Sequence, residues 1–226
     1  MDWEALFLTL RLDLVVCGFL LIIGVPIAFW LAFSRWRWKF LVEAVVALPL
    51  VLPPTVLGFY LLIVMGPRSP VGRVYGWIWG HGLPFTFSGL VLASIVYSLP
   101  FMVQPVAAAF AAVDPKVIAA SEVLGASRIR TLFRVIAPLS FGGLLTGVVL
   151  TFAHTLGEFG VVLMVGGNIP GVTRTVSVSI YDNVQSLDYR SSARMSLLLL
   201  ITSFLILAVV YATNRRASIV WPARRS

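Results

Sequence analysis

The sequence predicts an all-α protein embedded in a membrane, with about five membrane-crossing helices forming a single domain over residues 1–226. Three observations carry that prediction. Hydrophobic residues make up 59% of the 226 positions and charged residues only 12%, a balance that no ordinary water-soluble domain has. The apolar residues gather in long runs, separated by stretches that hold most of the charge. The 17 Lys and Arg, against 9 Asp and Glu, cluster between those runs instead of lining one face. A nucleic-acid surface needs a continuous basic stripe, so that function is excluded on distribution. Basic loops held on the cytoplasmic side of a membrane, where they meet anionic lipid, explain the pattern. The single cysteine, Cys17, lies inside an apolar run. It provides no disulfide framework or thiolate metal cluster, and reads as a packing or lipid-facing residue.

Residues 12–33 are the first predicted span, long enough at about 1.5 Å per residue to cross roughly 30 Å of hydrocarbon. The run is too long, and lacks a cleavage-like end, for a removable signal, so it is expected to be retained. Gly24 and Pro26 are tolerable inside it where neighbouring helices satisfy the freed backbone. Arg11 and Asp13, at its start, are expected at the water interface. Residues 34–39 alternate Trp with Arg and Lys, as at a water–lipid boundary.

The second span, 42–65, contains Pro49, Pro53 and Pro54. It reads either as a proline-kinked packing helix or as a discontinuous segment lining a translocation path. Three prolines in one span favour the second reading, because irregular backbone at membrane depth survives only inside protein or beside water. Pro53, Pro54 and Thr55 are therefore candidate path or gate residues. Residues 66–87 read as an external loop with interfacial Tyr75, Trp77 and Trp79. His81, without ligand partners nearby, reads as a surface residue. The third span, 88–113, has Pro100 and Pro105 as kinks and Gln104 as its strongly polar interior residue.

The fourth span, 139–165, carries His154 and Glu158, four positions apart and so expected on one helix face. Exposure to lipid would be costly, so both should point into the bundle or a cavity. They do not form a zinc pattern of the HExxH type. The other spans supply no convincing titratable partners for a proton relay. The pair reads as a hydrogen bond pinning two helices, or as further path residues. Residues 166–195 are an external polar segment, 196–213 the last span, and 214–226 a basic tail. The loops at 34–40 and 113–137 and the tail hold most of the basic residues. The positive-inside rule therefore puts the N-terminus outside and the C-terminus in the cytoplasm.

The longest polar interruption, 114–137, reads as two short helices about a glycine. Asp114 can cap the first, Pro115 suits its first position, and Gly125 can take the left-handed conformation that ends it. Ser127 can cap a second helix with Ile129, Leu132, Phe133 and Ile136 on one side, and Pro138 marks the start of the next span. From periodicity alone this could equally be an amphipathic loop lying on a basic membrane surface.

The residues Ala120, Leu124-Gly125-Ala126-Ser127 and Val135-Ile136-Ala137-Pro138 resemble the cytoplasmic loop shared by importer permeases of the ATP-binding-cassette (ABC) class. The family's Gly-to-Pro spacing is kept. Its opening Glu-Ala-Ala is replaced by Ala119, Ala120 and Ser121, and the nearest acid is Glu122. The resemblance implies a coupling loop that docks on an ATP-hydrolysing subunit through Ala120, Ser121, Glu122, Leu124, Gly125, Ala126 and Ser127, ending at Pro138.

Two further stretches, PLVLPPTVLGFYLL and LGEFGVVLMVGGNIPGVTRTVSVSIYD, closely resemble molybdate permeases of that class. Sulfate permeases share the Gly-Glu-aromatic-Gly theme. Phe159 and the run Asn168-Ile169-Pro170-Gly171 followed by Thr173-Arg174-Thr175 look more like the molybdate branch. His154 stands where an arginine is common in such permeases, replacing a permanent cation by a titratable group.

The resemblance implies a type I ABC importer permease fold in a bacterial inner membrane. It also implies a second copy of the chain, a separate ATPase that holds ATP and Mg, and an extracytoplasmic molybdate-binding protein. Transport would proceed by alternating access, with tungstate nearly isosteric and sulfate or thiosulfate as alternative cargo. No cofactor or metal is expected on this chain, and no GxxxxGK[ST] phosphate loop occurs. An ATPase-independent channel or carrier is the reading from another class. An intramembrane enzyme lacks a nucleophile–base pair or paired carboxylates at common depth.

Overall fold

The computed structural model describes residues 2–220, and every regular element among them is helical. Helix α1 (Trp3–Phe33) starts where the Asp2 carboxylate accepts the Ala5 N–H at 3.0 Å. It therefore begins ten residues before Asp13, not beside it. Helix α5 (Phe87–Ala111) is capped by the Thr86 hydroxyl, and α9 (Phe141–Leu156) packs against both. Their shared core is built from Leu12, Val16 and Leu20 of α1 with Met102, Val103, Val106 and Phe110 of α5. A Cβ at Gly143 would lie 2.1 Å from the Cβ of Ala109, so α5 and α9 approach at a distance only glycine allows. Such small-residue contacts are how helices gain packing where lipid offers no hydrophobic drive between them.

Among the described residues, three helical stretches are long and apolar enough to cross a membrane: Trp3–Phe33, Phe87–Ala111 and Tyr189–Val209, the last within α12 (Tyr189–Val220). Two bent pairs raise that number to five if each is one span. The first is α2 (Lys39–Val51) with α3 (Pro54–Met65), bent by 116°. Pro49 is accommodated within α2; the break falls at Leu52 and Pro53, both in extended backbone. Pro54 then opens α3 in the first-turn position that needs no N–H donor.

The second bent pair is Arg128–Leu139 with α9, bent by 79°. The first arm comprises α7 (Arg128–Thr131), a π turn (Leu132–Ile136) and α8 (Ala137–Leu139). Pro138 lacks the N–H that Arg134 would accept from, and the turn before it widens so that Ala137 N–H reaches Leu132 O. The expected fourth span over 139–165 is thus corrected. Its helix stops at Leu156, and α10 (Gly160–Gly166) follows after a three-residue joint.

Other expectations are corrected too. The segment 66–87, expected as an external loop, contains α4 (Pro70–Trp79), held at its start by the Ser69 hydroxyl, which accepts the Gly72 N–H at 2.8 Å. Within 166–195 lie α11 (Val176–Gln185) and the first turns of α12, and Val176, Val178 and Ser179 are buried. Gln104 is exposed in a hollow between α1, α2 and α5, not in the bundle interior. Helix α12 runs on into the predicted tail, and Arg224 and Arg225 lie outside the described residues.

Candidate translocation path and coupling surface

The two chain breaks meet. Gly160, at the start of α10, sits against Pro54, the first residue of α3, and Gly58 one turn on sits against Met164. A Cβ at either glycine would come within 2.7 Å of a carbon of its neighbour. Of the predicted path residues, Pro54 is half-buried in this junction, while Pro53 and Thr55 are exposed. The junction joins the proline break of one bent span to the Gly157–Phe159 joint of the other. Within the joint Glu158 is buried and Phe159 half-buried, while Gly157, like Pro53 at the other break, is exposed.

His154 and Glu158 are both turned inward, yet they do not share a helix face. Helix α9 ends at Leu156, and Glu158 lies beyond it in the joint, its N–H on Thr155 O at 3.2 Å. The i, i+4 argument presumed a helix that does not continue. His154 instead lies between two aromatic rings of α5, with Phe101 stacked at 4.0 Å and Tyr97 tilted at 4.5 Å between centroids. Its Nδ1 is 3.0 Å from the Ser98 hydroxyl, which also bonds Thr155 at 2.9 Å. The contact joins α9 to α5 through His154; Glu158, the other member of the pair weighed as a helix-pinning hydrogen bond, takes no part in it.

Glu158 is 4% exposed and neither carboxyl oxygen has a hydrogen-bond partner. The Ser94 hydroxyl, one turn along α5 from Ser98, faces it without closing a bond of good geometry. The residue missed from sequence is Asp13. Expected at the interface, it is 0% exposed, with both carboxyl oxygens unpartnered. Arg11 stays exposed, its guanidinium over the Phe87 ring at 4.5 Å. Thr9, Asp13 and Cys17 recur every four residues, a signal visible in the sequence once the helix is known to start at Trp3. Thr9 Oγ1 accepts from Val176 N–H at 2.9 Å, and the Cys17 thiol is 3.8 Å from Val148 O, so this face of α1 looks into the bundle. Cys17 is a packing residue. Asp13 on α1 and Glu158 in the joint after α9 are thus two buried carboxylates whose oxygens all lack hydrogen-bond partners.

The predicted coupling loop forms as expected and projects from the bundle. Helix α6 (Pro115–Val123) is capped by the Asp114 carboxylate on Lys116 N–H at 2.8 Å. Gly125 has φ +76°, the left-handed conformation, and Ser127 caps α7 by accepting Arg130 N–H at 3.3 Å. The Ser121 hydroxyl bonds Thr131 at 2.9 Å, fixing the two short helices against each other. None of α6 is buried, and Val123 and Leu124 are each 87% exposed. Ala120, Glu122, Gly125 and Ser127 are exposed with them, and Ala126 is half-buried beside a hollow of about 430 Å³ that also touches Arg130 and Arg134. Pro138 lies apart, exposed in α8. Of the apolar set on the second helix, Ile136 is buried and Ile129 and Phe133 are exposed.

The chain is thus a helical membrane protein with two bent candidate spans, buried polar groups within an apolar core and an exposed two-helix loop. Residues 24–219 match the family described as binding-protein-dependent transport system inner membrane component, and the chain belongs to that family. Two relatives narrow the likeness. The molybdenum transport system permease protein ModB of Azotobacter vinelandii is 49% identical over 214 residues, 95% of this chain and 95% of that protein. ModB of Escherichia coli (strain K12) is 40% identical over 188 residues, covering 82% of this chain and 81% of that one. Among solved structures, an inward-facing conformation of the MetNI methionine ABC transporter matches with a TM-score of 0.73. It covers 96% of this chain and 95% of that chain at 20% identity, a likeness of fold alone.

Proposed function

We propose that this chain is the membrane-spanning subunit of an ATP-driven importer that carries molybdate, and with it tungstate, into the cytoplasm. The observation that carries the reading is the 49% identity to a molybdenum permease across 95% of both chains. Two copies would flank the path in a bacterial inner membrane, each with its N-terminus outside and its C-terminus in the cytoplasm. The exposed surface from Ala120 to Ser127 would dock on a separate ATPase, which holds ATP and Mg and does the hydrolysis. An extracytoplasmic binding protein would deliver the oxyanion and supply selectivity. A path without a fixed cationic site suits this division of labour. A strong Arg or Lys site would hold a dianion, whereas conduction needs binding weak enough to release it.

Closure of the ATPase dimer would draw α6 and α7 with it. The breaks that flank the contact of α3 with α10, Leu52–Pro53 and Gly157–Phe159, would be where the two broken spans respond, because the backbone there is already non-helical. The test is ATP hydrolysis by the full assembly in liposomes with its ATPase and binding protein. Stimulation by molybdate, at concentrations where sulfate does nothing, is the expected result. Equal or greater stimulation by sulfate would move the chain to the sulfate branch. No association with an ATPase would end the importer reading in favour of a channel or carrier.

A further inference from the structure

The interior of the bundle holds more unpartnered polar atoms than a packing core needs. Besides both oxygens of Asp13 and of Glu158, the buried hydroxyls of Ser94 and Thr151 have no hydrogen-bond partner. Thr175, at the start of α11, is a further such residue; the other four lie on α1, α5 and α9 and in the joint that follows α9. Register places them together. On α1, Asp13 lies one turn from Cys17, whose thiol touches Val148 of α9; Thr151 is one turn on along α9. On α5, Ser94 lies one turn from Ser98, which is bonded to Thr155, and it faces Glu158. An unpaired carboxylate buried beside another is among the least favourable arrangements in a protein interior.

No cation relieves it. The ion pairs among the described residues are Lys39–Glu43 and Arg174–Asp182, and Arg11 lies over Phe87. The titratable neighbours are Cys17 on α1, Tyr97 on α5 and His154 on α9. Cys17 is occupied with Val148 O, and His154 with Ser98 between its two rings. Tyr97 packs on that same histidine. Among the described residues, no element packed around the pair brings a compensating positive charge.

We propose that the buried carboxyls of Asp13 and Glu158 form a proton-binding site inside the bundle, one of the two keeping its proton. The proton is taken from water, so the pair carries one negative charge in place of two, and Ser94 and Thr151 donate their hydroxyls to the carboxylate oxygens. The clamp ties α1 to the Gly157–Phe159 joint. Loss of the proton sets two like charges against each other across it, so proton occupancy and the position of the joint are linked. The site does not depend on what cargo the chain carries.

Infrared spectroscopy of the full chain in lipid bilayers tests this directly through the carboxylic-acid C=O band at neutral pH. Exposed Asp and Glu, with ordinary pKa values of about 4, are silent there. The wild-type chain is expected to show a protonated-carboxyl band. Asp13→Asn or Glu158→Gln alone should shift its frequency, and the double variant should lose it. No band in the wild type, or a band unchanged in the double variant, overturns the proposal. A band bleached by sodium or potassium, but not by choline, also overturns it, assigning the oxygens to a monovalent cation. The wild-type measurement stands even if a variant fails to fold.

Discussion

Gly160 and Pro54 are in contact across the two broken spans, so close that a Cβ on residue 160 would sit 2.7 Å from the proline's own Cβ. The neighbour is a ring on a helix's first residue, unable to rotate out of the way. Gly160→Val is therefore expected to push α10 off α3, with an overpacking penalty of about 1–3 kcal/mol. Thermal unfolding of the reconstituted chain measures the loss. Transport should fall further than stability alone explains, because the junction sits between both broken spans.

Gly125 presents the opposite case, with open space around it but a φ of +76°. Gly125→Val should cost about 1–2 kcal/mol of local backbone strain and misplace α7 relative to α6. Gly125→Asn, a residue that tolerates this conformation, should retain most of the coupling. ATP hydrolysis that no longer responds to transport substrate in the Val variant, and does in the Asn variant, is the expected pattern.

The Leu124 side chain is 87% exposed on the predicted coupling surface. Leu124→Asp is expected to leave the chain's own stability within about 0.5 kcal/mol while abolishing co-purification of the ATPase. A stable variant that still retains its ATPase would show that docking lies elsewhere.

His154 is held by two rings and one hydroxyl. His154→Ala removes the ring contacts with Phe101 and Tyr97 and leaves Ser98 with Thr155 as its remaining partner. His154→Phe restores the aromatic packing without the hydrogen bond. If His154 only pins helices, the Phe variant should recover most of the melting temperature and of the transport rate. If the histidine touches the moving anion, stability should recover and transport should not. Parallel melting and uptake measurements separate the two.

Much of the coupling loop was legible because its determinants are local. Asp114, Pro115, Gly125 and Ser127 act on the backbone within one turn of themselves, and each does in the structure what its chemistry dictates. The break at Pro53 and Pro54 was legible for the same reason. The joint after Leu156 was not. Gly157, Glu158, Phe159 and Gly160 contain no proline, and the run reads as continuous apolar helix. The helix stops there because Gly160 must meet Pro54, more than a hundred positions away.

By itself, the sequence determined the class of this protein: the apolar runs require a membrane, and local chemistry ends, caps and kinks the helices. Only the tertiary structure decided which polar groups are withdrawn from water and lipid. Asp13 carries the same local signals as an interfacial aspartate. Its burial follows from α1 starting at Trp3 and turning the Thr9–Asp13–Cys17 face toward α9 and α11. Glu158 reaches the same interior from a joint that exists because two distant glycines let α10 close on α3. Secondary structure is set by neighbours along the chain, whereas the depth of a charge is set by packing between helices.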